Sequence, residues 1–207
     1  MVNHRLTIII IFFLFFYIFY WWGDFMIDKC IKYELPVEEF DEQKAYDVIN
    51  LRYQDFKERY NFTEIVFVCI GTPKITGDAF GPLVGSLVKD FGTKVHIYGN
   101  TYNPIMALNV YTRMDTIYKK HPRAFIIGID ACIDSDANMI KIAYDSFKPG
   151  TGVNKQLGEY GDVTIVLSVG KPNNSMSNTD FLSRVELSTV YSAAVKVAKL
   201  INRFGDD

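Results

Sequence analysis

Three nearly continuous apolar segments, separated by segments with helical patterning, constrain the fold of this chain more than any other feature. They are TEIVFVCIG (63–71), TKVHIYG (93–99) and RAFIIGIDA (123–131). Strands that are apolar along both faces are typical of sheets covered by helices on both sides. Helices predicted at Phe80–Asp90 and at 103–120, the second capped by Asn103, complete a βαβαβ alternation. The sequence therefore predicts an α/β fold, a three-layer α/β/α arrangement with a mostly parallel central sheet.

The rest of the chain continues this pattern less regularly. Apolar residues recur at steps of three and four between Asp41 and Tyr60, which predicts an amphipathic helix. Segment 138–145 is predicted as a short strand or hairpin arm, 162–170 as a further core strand, and 181–204 as a long closing helix. Segment 146–162 is rich in Gly, Pro and polar residues and is predicted as an irregular loop. Long loops inside compact domains are commonly functional.

The N-terminal segment differs from the rest of the chain. With 207 residues and 49% hydrophobic content, the chain can bury the core of one ordinary α/β domain. Residues 6–22 carry no charge and as a helix would span roughly 25 Å, slightly less than a bilayer core. They are predicted to be a retained signal anchor, unless Met26 is the true start. The predicted division is a hydrophobic segment (1–25), an extension with an amphipathic helix (26–62) and the α/β/α domain (63–207).

Charge and motif content exclude several classes of function. The formal net charge is −2 and the basic residues are scattered, so nucleic acid is not a predicted partner. Cys30, Cys69 and Cys132 show no metal-binding spacing, and Cys69 and Cys132, each in a predicted buried strand or at its end, are predicted to be inert reduced thiols rather than a disulfide or a nucleophile. Lys74 is misplaced for a phosphate-binding loop, and no serine has a G-x-S-x-G context. No cofactor is predicted.

Two acidic residues follow or end predicted strands at the same edge of the sheet. Asp78 lies in IGTPKITGDAFGP (70–82) and Asp130 in IIGIDACIDSD (126–136). Ligand-binding loops of open parallel sheets leave the strands at this edge. Two acids brought together there would couple, so that one activates water while the other protonates a leaving amine. The alternative is structural, with Asp78 capping the following helix and Asp130 accepting backbone amides.

Other polar residues were weighed as ligands. His96 is predicted within a strand and His121 just before one, away from the crevice edge, and both are interpreted as tolerated polar residues. Asp134 and Asp136 form either an ordinary solvated turn or extra acids at the rim of the site.

Three separated motifs carry a family resemblance. IVFVCIGTPKITGDAFGPLVGSLV (65–88), AFIIGIDACI (124–133) and KPGTGVNKQL (148–157) together resemble the YyaC family of sporulation proteins, relatives of the spore germination protease. The match covers about residues 63–203. It implies a phosphorylase/hydrolase-like fold, shared with hydrogenase-maturation endopeptidases.

The resemblance also implies an activity. In the germination protease an acid in a T-x-D-A-L-G-P motif and another in an I-D-A motif form an atypical aspartic dyad, and these acids fall on Asp78 and Asp130. Phe80 stands where that pattern has Leu. In the hydrogenase-maturation relatives a later histidine joins the acids to hold a metal, but every histidine here precedes Asp130, so no bound metal is predicted.

The predicted function is therefore a metal-independent endopeptidase of sporulation or germination, acting on protein or peptide substrates such as small acid-soluble spore proteins. Its predicted place is inside a spore-forming bacterium, in the forespore or spore, with membrane anchoring through residues 6–22 and self-association as further expectations. The alternative is a non-catalytic member that binds a protein partner. The predicted substrate-binding residues belong to the first motif and the Gly-rich loop: Thr72, Gly77, Lys148, Gly150, Gly152, Asn154 and Lys155.

Overall fold

A six-stranded sheet forms the centre of the computed structural model, which describes residues 33–92, 94–146, 160–173 and 175–205. The spatial order of its strands is β1-β5-β6-β4-β2-β3. The strands are β1 (Tyr33–Pro36), β2 (Glu64–Cys69), β3 (His96–Tyr98), β4 (Ala124–Cys132), β5 (Ala137–Ala143) and β6 (Val163–Val169). The hydrophobic segment at 6–22 lies outside the described residues.

The strand pairing is mixed. Strands β3, β2, β4 and β6 are parallel neighbours, as the βαβαβ alternation predicts. Strand β5 pairs antiparallel with β6, so segment 138–145 is the predicted hairpin arm. Strand β1 pairs antiparallel with β5 at the sheet edge and was not predicted, because its four residues show no alternation long enough to detect. The chain thus has a mixed α/β fold with a central sheet.

Five α-helices are present among the described residues. They are α1 (Glu42–Tyr60), α2 (Phe80–Asp90), α3 (Val110–Lys120), α4 (Asn178–Ser183) and α5 (Leu187–Arg203). Helix α1 begins where Asp41 accepts the backbone N–H of Lys44 (3.0 Å) and ends at Asn61, whose left-handed φ of 55° closes the last turn. None of the helices among the described residues combines the length and apolar character needed to cross a membrane.

The predicted start of α3 after Asn103 is wrong, because the chain from Asn100 to Asn109 forms turns held by asparagine side chains. The Asn109 Oδ1 accepts the backbone N–H of Met106 (2.8 Å). Ile105 is buried beside the end of β2, where its carbonyl accepts the N–H of Gly71 (2.9 Å). This strand-like contact holds the chain extended, and the helix starts only at Val110.

The predicted single helix over 181–204 is two helices. Ser177 caps α4 by accepting the backbone N–H of Asp180 (3.1 Å), and α5 begins after a break at residues 184–186. Around this break Leu182 and Val185 pack against Gly77, where an added Cβ would lie 2.8 and 2.9 Å from their methyl groups. The break therefore follows from tertiary packing rather than from helix propensity.

Helices lie against both faces of the sheet, and each face has its own hydrophobic core. Along β2, Phe67 and Cys69 belong to the larger core, which includes buried residues of α1, α2 and α5. Val66 and Val68 point to the opposite face and pack with buried residues of α3. This alternation explains why β2 is apolar throughout.

Candidate active site

Asp78 lies at the carboxyl end of β2, in a short 3-10 turn (Thr76–Asp78) that leads into α2. The half-buried carboxylate accepts the backbone N–H of Thr72 through Oδ2 (2.7 Å). Helix α2 has Ala79 at its N-cap and no side-chain cap hydrogen bond. The Asp78 carboxylate therefore bonds back to the start of its own loop, at Thr72. The alternative that Asp78 caps α2 is wrong.

The glycines of the first motif permit this tight loop. Gly71 has a φ of +129°, and an added Cβ there would lie 2.0 Å from the Asp78 carbonyl oxygen. At Gly81 an added Cβ would lie 2.1 Å from the carbonyl oxygen of Ile70 and 2.8 Å from that of Ile129. Any larger residue would push α2 away from the ends of β2 and β4. The glycines thus hold the Asp78 loop against the end of the sheet.

Asp130 lies near the carboxyl end of β4, opposite Val166 of β6. Its neighbour Ile129 is in the larger core, so alternation puts the Asp130 side chain on the other face of the sheet. The Asp130 Oδ1 accepts the backbone N–H of Ala131 (2.8 Å). This contact agrees with the structural alternative, in which Asp130 satisfies a backbone amide, and the residue as a whole is half-buried.

The charge of Asp78 acts on Asp130. Burial, and then the negative charge of Asp78, raises the pKa of Asp130 from 3.8 to about 7. Burial raises the pKa of Asp78 from 3.8 to about 6, against the opposing effect of the Thr72 amide hydrogen bond. Two interacting carboxyls titrate as a pair, and here Asp130 is the member that holds a proton more strongly.

A charged cluster lies beside this pair. The Lys141 ammonium contacts Glu34 (2.6 Å), Asp134 (2.8 Å) and Asp136 (3.4 Å). Hydrogen bonding to Lys141 lowers the pKa of Asp134 and raises that of Lys141. Asp134 and Asp136 are thus ion-paired turn residues. Sequence reasoning missed Lys141 as their partner, although its place in the predicted hairpin arm brings it back toward that turn.

The cysteines near the site are not activated. Burial, followed by the charges of Asp134 and Asp130, raises the pKa of Cys132 to about 11. Burial also raises the pKa of Cys69, which is fully enclosed in the larger core. Both are free thiols that stay protonated at neutral pH, as predicted.

The predicted substrate-binding residues fall in different places. Thr72 is half-buried and donates its backbone N–H to Asp78. Gly77 is buried against Leu182 and Val185. The loop residues lie outside the described residues, so their role stays a prediction: Lys148, Gly150, Gly152, Asn154 and Lys155.

His96 and His121 lie at the amino ends of the parallel strands, the opposite end of the sheet from the acid pair. His96 begins β3, His121 immediately follows α3 ahead of β4, and Glu64 begins β2 beside them. Neither histidine alone predicts a site, and the sequence gives no local signal that joins them to Glu64. The signal that could have found the group is positional, since the amino ends of neighbouring parallel strands also share one edge.

Comparison with known proteins agrees with the motif resemblance. The profile of the family described as "Protein of unknown function (DUF1256)" matches residues 37–200. The chain belongs to this family. Within it, the chain is 41% identical over 104 residues to the YyaC protein of Bacillus subtilis (strain 168). That alignment covers 49% of the chain and 51% of YyaC, so the chain spans about half the length of this curated relative.

One solved structure also resembles this member of the DUF1256 family. The crystal structure of the NiFe hydrogenase maturation protease HycI from Thermococcus kodakarensis KOD1 is similar with a TM-score of 0.48 and 18% identity. The similarity covers 70% of this chain and 94% of HycI.

Proposed function

We propose that this DUF1256 member is an endopeptidase of sporulation or germination in a spore-forming bacterium, with Asp78 and Asp130 activating water against a peptide bond. The observation that carries the proposal is the mutual placement of two half-buried acids at the carboxyl ends of β2 and β4, where the charge of one raises the pKa of the other. The motif resemblance to the germination protease and the similarity to YyaC of Bacillus subtilis support the pathway.

The environments of the two acids suggest separate roles. Each acid accepts one backbone N–H, but the pKa of Asp78 rises only to about 6 while that of Asp130 rises to about 7, so we assign the general base to Asp78. It removes a proton from water, and the water oxygen bonds to the carbonyl carbon. Asp130, which keeps its proton to a higher pH than Asp78, gives that proton to the amide nitrogen as the C–N bond breaks. The products are a new carboxyl terminus and an amine, and the proton held by Asp78 returns Asp130 to its starting state through solvent.

Further parts of the proposal rest on the family resemblance. The fold is assigned to the phosphorylase/hydrolase-like three-layer class, to which helices on both sheet faces conform. The substrates are small acid-soluble spore proteins, contacted by Thr72 and by the loop Lys148–Lys155. Self-association is a further part of the proposal, and anchoring through residues 6–22 rests instead on the uncharged, apolar composition of that segment.

A cleavage assay with the full-length chain tests the proposal. The protein is purified in mild detergent, because residues 6–22 are uncharged and apolar, and incubated with a small acid-soluble spore protein. Cleavage is followed by mass spectrometry of the fragments for the parent, Asp78→Asn, Asp130→Asn and the control Asp115→Asn. Asp115 is an exposed acid of α3 that pairs with Lys119 (2.7 Å). Its replacement removes a carboxylate that is not part of the proposed catalytic pair.

Loss of cleavage in both site variants, with activity kept in Asp115→Asn, supports the peptidase. Equal cleavage by the parent and both site variants would show that the acids are not catalytic. No turnover by the parent in any tested condition favours the alternative, a family member that keeps the fold and binds a protein partner.

A further inference from the structure

The amino ends of three parallel strands bring together a group of metal-binding side chains. Glu64 begins β2, His96 begins β3 and His121 immediately precedes Pro122 on the way into β4. Each of the three residues offers one potential ligand atom, and these three atoms all lie within 4.8 Å of one another. We propose that these three residues form a zinc-binding site of the His2Glu type, at the opposite end of the sheet from the acid pair.

The distances are close to those that zinc requires. A tetrahedral ion bound at about 2.0 to 2.1 Å from each ligand separates the ligand atoms by roughly 3.4 Å. Glu64 Oε2 lies 3.2 Å from His96 Nε2 and 2.9 Å from His121 Nδ1. The two carboxylate–imidazole edges of a tetrahedron are therefore nearly in place. The Glu64–His121 edge has to lengthen by about 0.5 Å and the imidazole–imidazole edge has to reach the same length. His96, with 51% of its side chain exposed, has room to rotate toward the ion.

His121 is held by a second hydrogen bond on its far side. Its side chain is 4% exposed, and its Nε2 lies 2.7 Å from the Tyr98 hydroxyl. Because an ionised Glu64 can only accept, we assign the proton of a neutral His121 to Nδ1, which leaves Nε2 to accept from the Tyr98 hydroxyl. With an ion on Nδ1, the ring carries its proton on Nε2 and donates to the Tyr98 oxygen, since a hydroxyl serves in either role. Such outer partners fix the orientation of metal-bound histidines.

The donor set favours zinc. Two imidazoles and one carboxylate, with a fourth position open to water, are typical of three-ligand zinc sites. The exposure of His96 leaves solvent access for that fourth ligand. The ion would link the amino ends of β2 and β4 to β3, which is a three-residue strand at the edge of the sheet. Its main expected effect is therefore to stabilise the folded protein. This proposal departs from the expectation of no bound metal, which considered the acid pair and each histidine singly.

Zinc binding to the full-length chain tests the proposal directly. Equilibrium dialysis with ZnCl2 and metal analysis are performed on the parent, Glu64→Gln, His96→Gln and the control Asp115→Asn. We expect a single zinc ion per chain in the parent and the control, and an affinity loss of about 100-fold or more in the two ligand variants. Tyr98→Phe keeps all three ligands and should weaken binding by about 10-fold.

Two further readouts keep the result decisive. ZnCl2 should raise the melting temperature of the parent and of Asp115→Asn but not that of His96→Gln, whose exposed position leaves folding intact. Co2+ should give the visible bands of a tetrahedral site without a thiolate charge-transfer band. Equal zinc affinity in the parent and Glu64→Gln, a thiolate band from Cys132 or Cys30, or no binding by the parent would each overturn the site. The last result would identify the group as a hydrogen-bonded ion-pair network.

Discussion

Replacing Asp130 by asparagine is expected to stabilise the protein at neutral pH while removing the proposed activity. Asparagine has nearly the same volume and keeps a side-chain oxygen for the backbone N–H of Ala131, but it does not ionise. Burial, and then the charge of Asp78, raises the pKa of Asp130 to about 7. The folded protein therefore retains a proton on Asp130 that the unfolded chain releases near its ordinary value of 3.8.

The magnitude follows from the linkage between proton binding and folding. An acid whose pKa is higher in the folded state costs nothing below the unfolded value and lowers stability as the pH rises toward the folded value. Ionising a fully enclosed carboxyl whose pKa rises from 3.8 to about 7 costs about 4 kcal/mol. Because Asp130 as a residue is only half-buried and surrounding water screens its charge, we expect about 2 to 3 kcal/mol, or a rise in Tm of about 5 to 10 °C.

Thermal and urea unfolding of the full-length chain measure this effect. The gain of Asp130→Asn over the parent should be near zero at about pH 4, grow through pH 5 and 6, and be complete by about pH 8. Asp115→Asn serves as the control, since an exposed ion pair contributes less than about 1 kcal/mol at any pH. A destabilised Asp130→Asn at pH 8, or the same gain at pH 4 and pH 8, would refute the electrostatic reasoning.

Three other predictions concern the acid pair and the packing around it. The rate of cleavage should follow a bell-shaped pH profile centred between about 6 and 7, since Asp78 must be ionised and Asp130 protonated; a rate that is flat from pH 5 to 8 would contradict these roles. Gly81→Ala should lower the free energy of unfolding by about 3 kcal/mol in urea, because its Cβ would clash with backbone oxygens. The control Gly92→Ala should cost only about 1 kcal/mol, because no atom lies within 4 Å of its Cβ and the cost comes from its φ of +73° alone. Ile127→Ala in the fully buried centre of β4 should cost about 2 to 5 kcal/mol by the same measurement, and a loss below 1 kcal/mol would argue against the assigned core.

The elements that could be predicted are those in which the local spacing of apolar residues indicates which side chains are buried. Strands β2, β4 and β6 are apolar because hydrophobic cores cover both faces of the sheet. Helix α1 has its N-cap at Asp41 and its C-cap at Asn61. The missed features depend on distant contacts. Helix α3 begins late because Ile105 pairs with the end of β2, a bridge that no helical pattern reveals.

The candidate site divides in the same way. That Asp78 and Asp130 share an edge follows from strand direction alone, so it could be predicted. The partner of the Asp78 carboxylate could not, because the Thr72 N–H reaches it only through the turn that Gly71 permits. The association of Lys141 with Asp134 likewise needs the hairpin register.

The polarity of the parallel strands assigns the two ends of the sheet different chemistry. At the carboxyl ends, glycines allow α2 to pack closely against the strands. Burial there raises the pKa values of two acids to about 6 and about 7, and ionising these buried acids lowers the stability of the fold at neutral pH. At the amino ends, Glu64 and His121 are joined by a hydrogen bond, which raises the stability of the fold. A site that destabilises its own fold persists only where function selects it, whereas a satisfied cluster needs no such reason. The carboxyl-end acids are therefore the stronger candidate for catalysis, and the amino-end cluster is the stronger candidate for holding the sheet together.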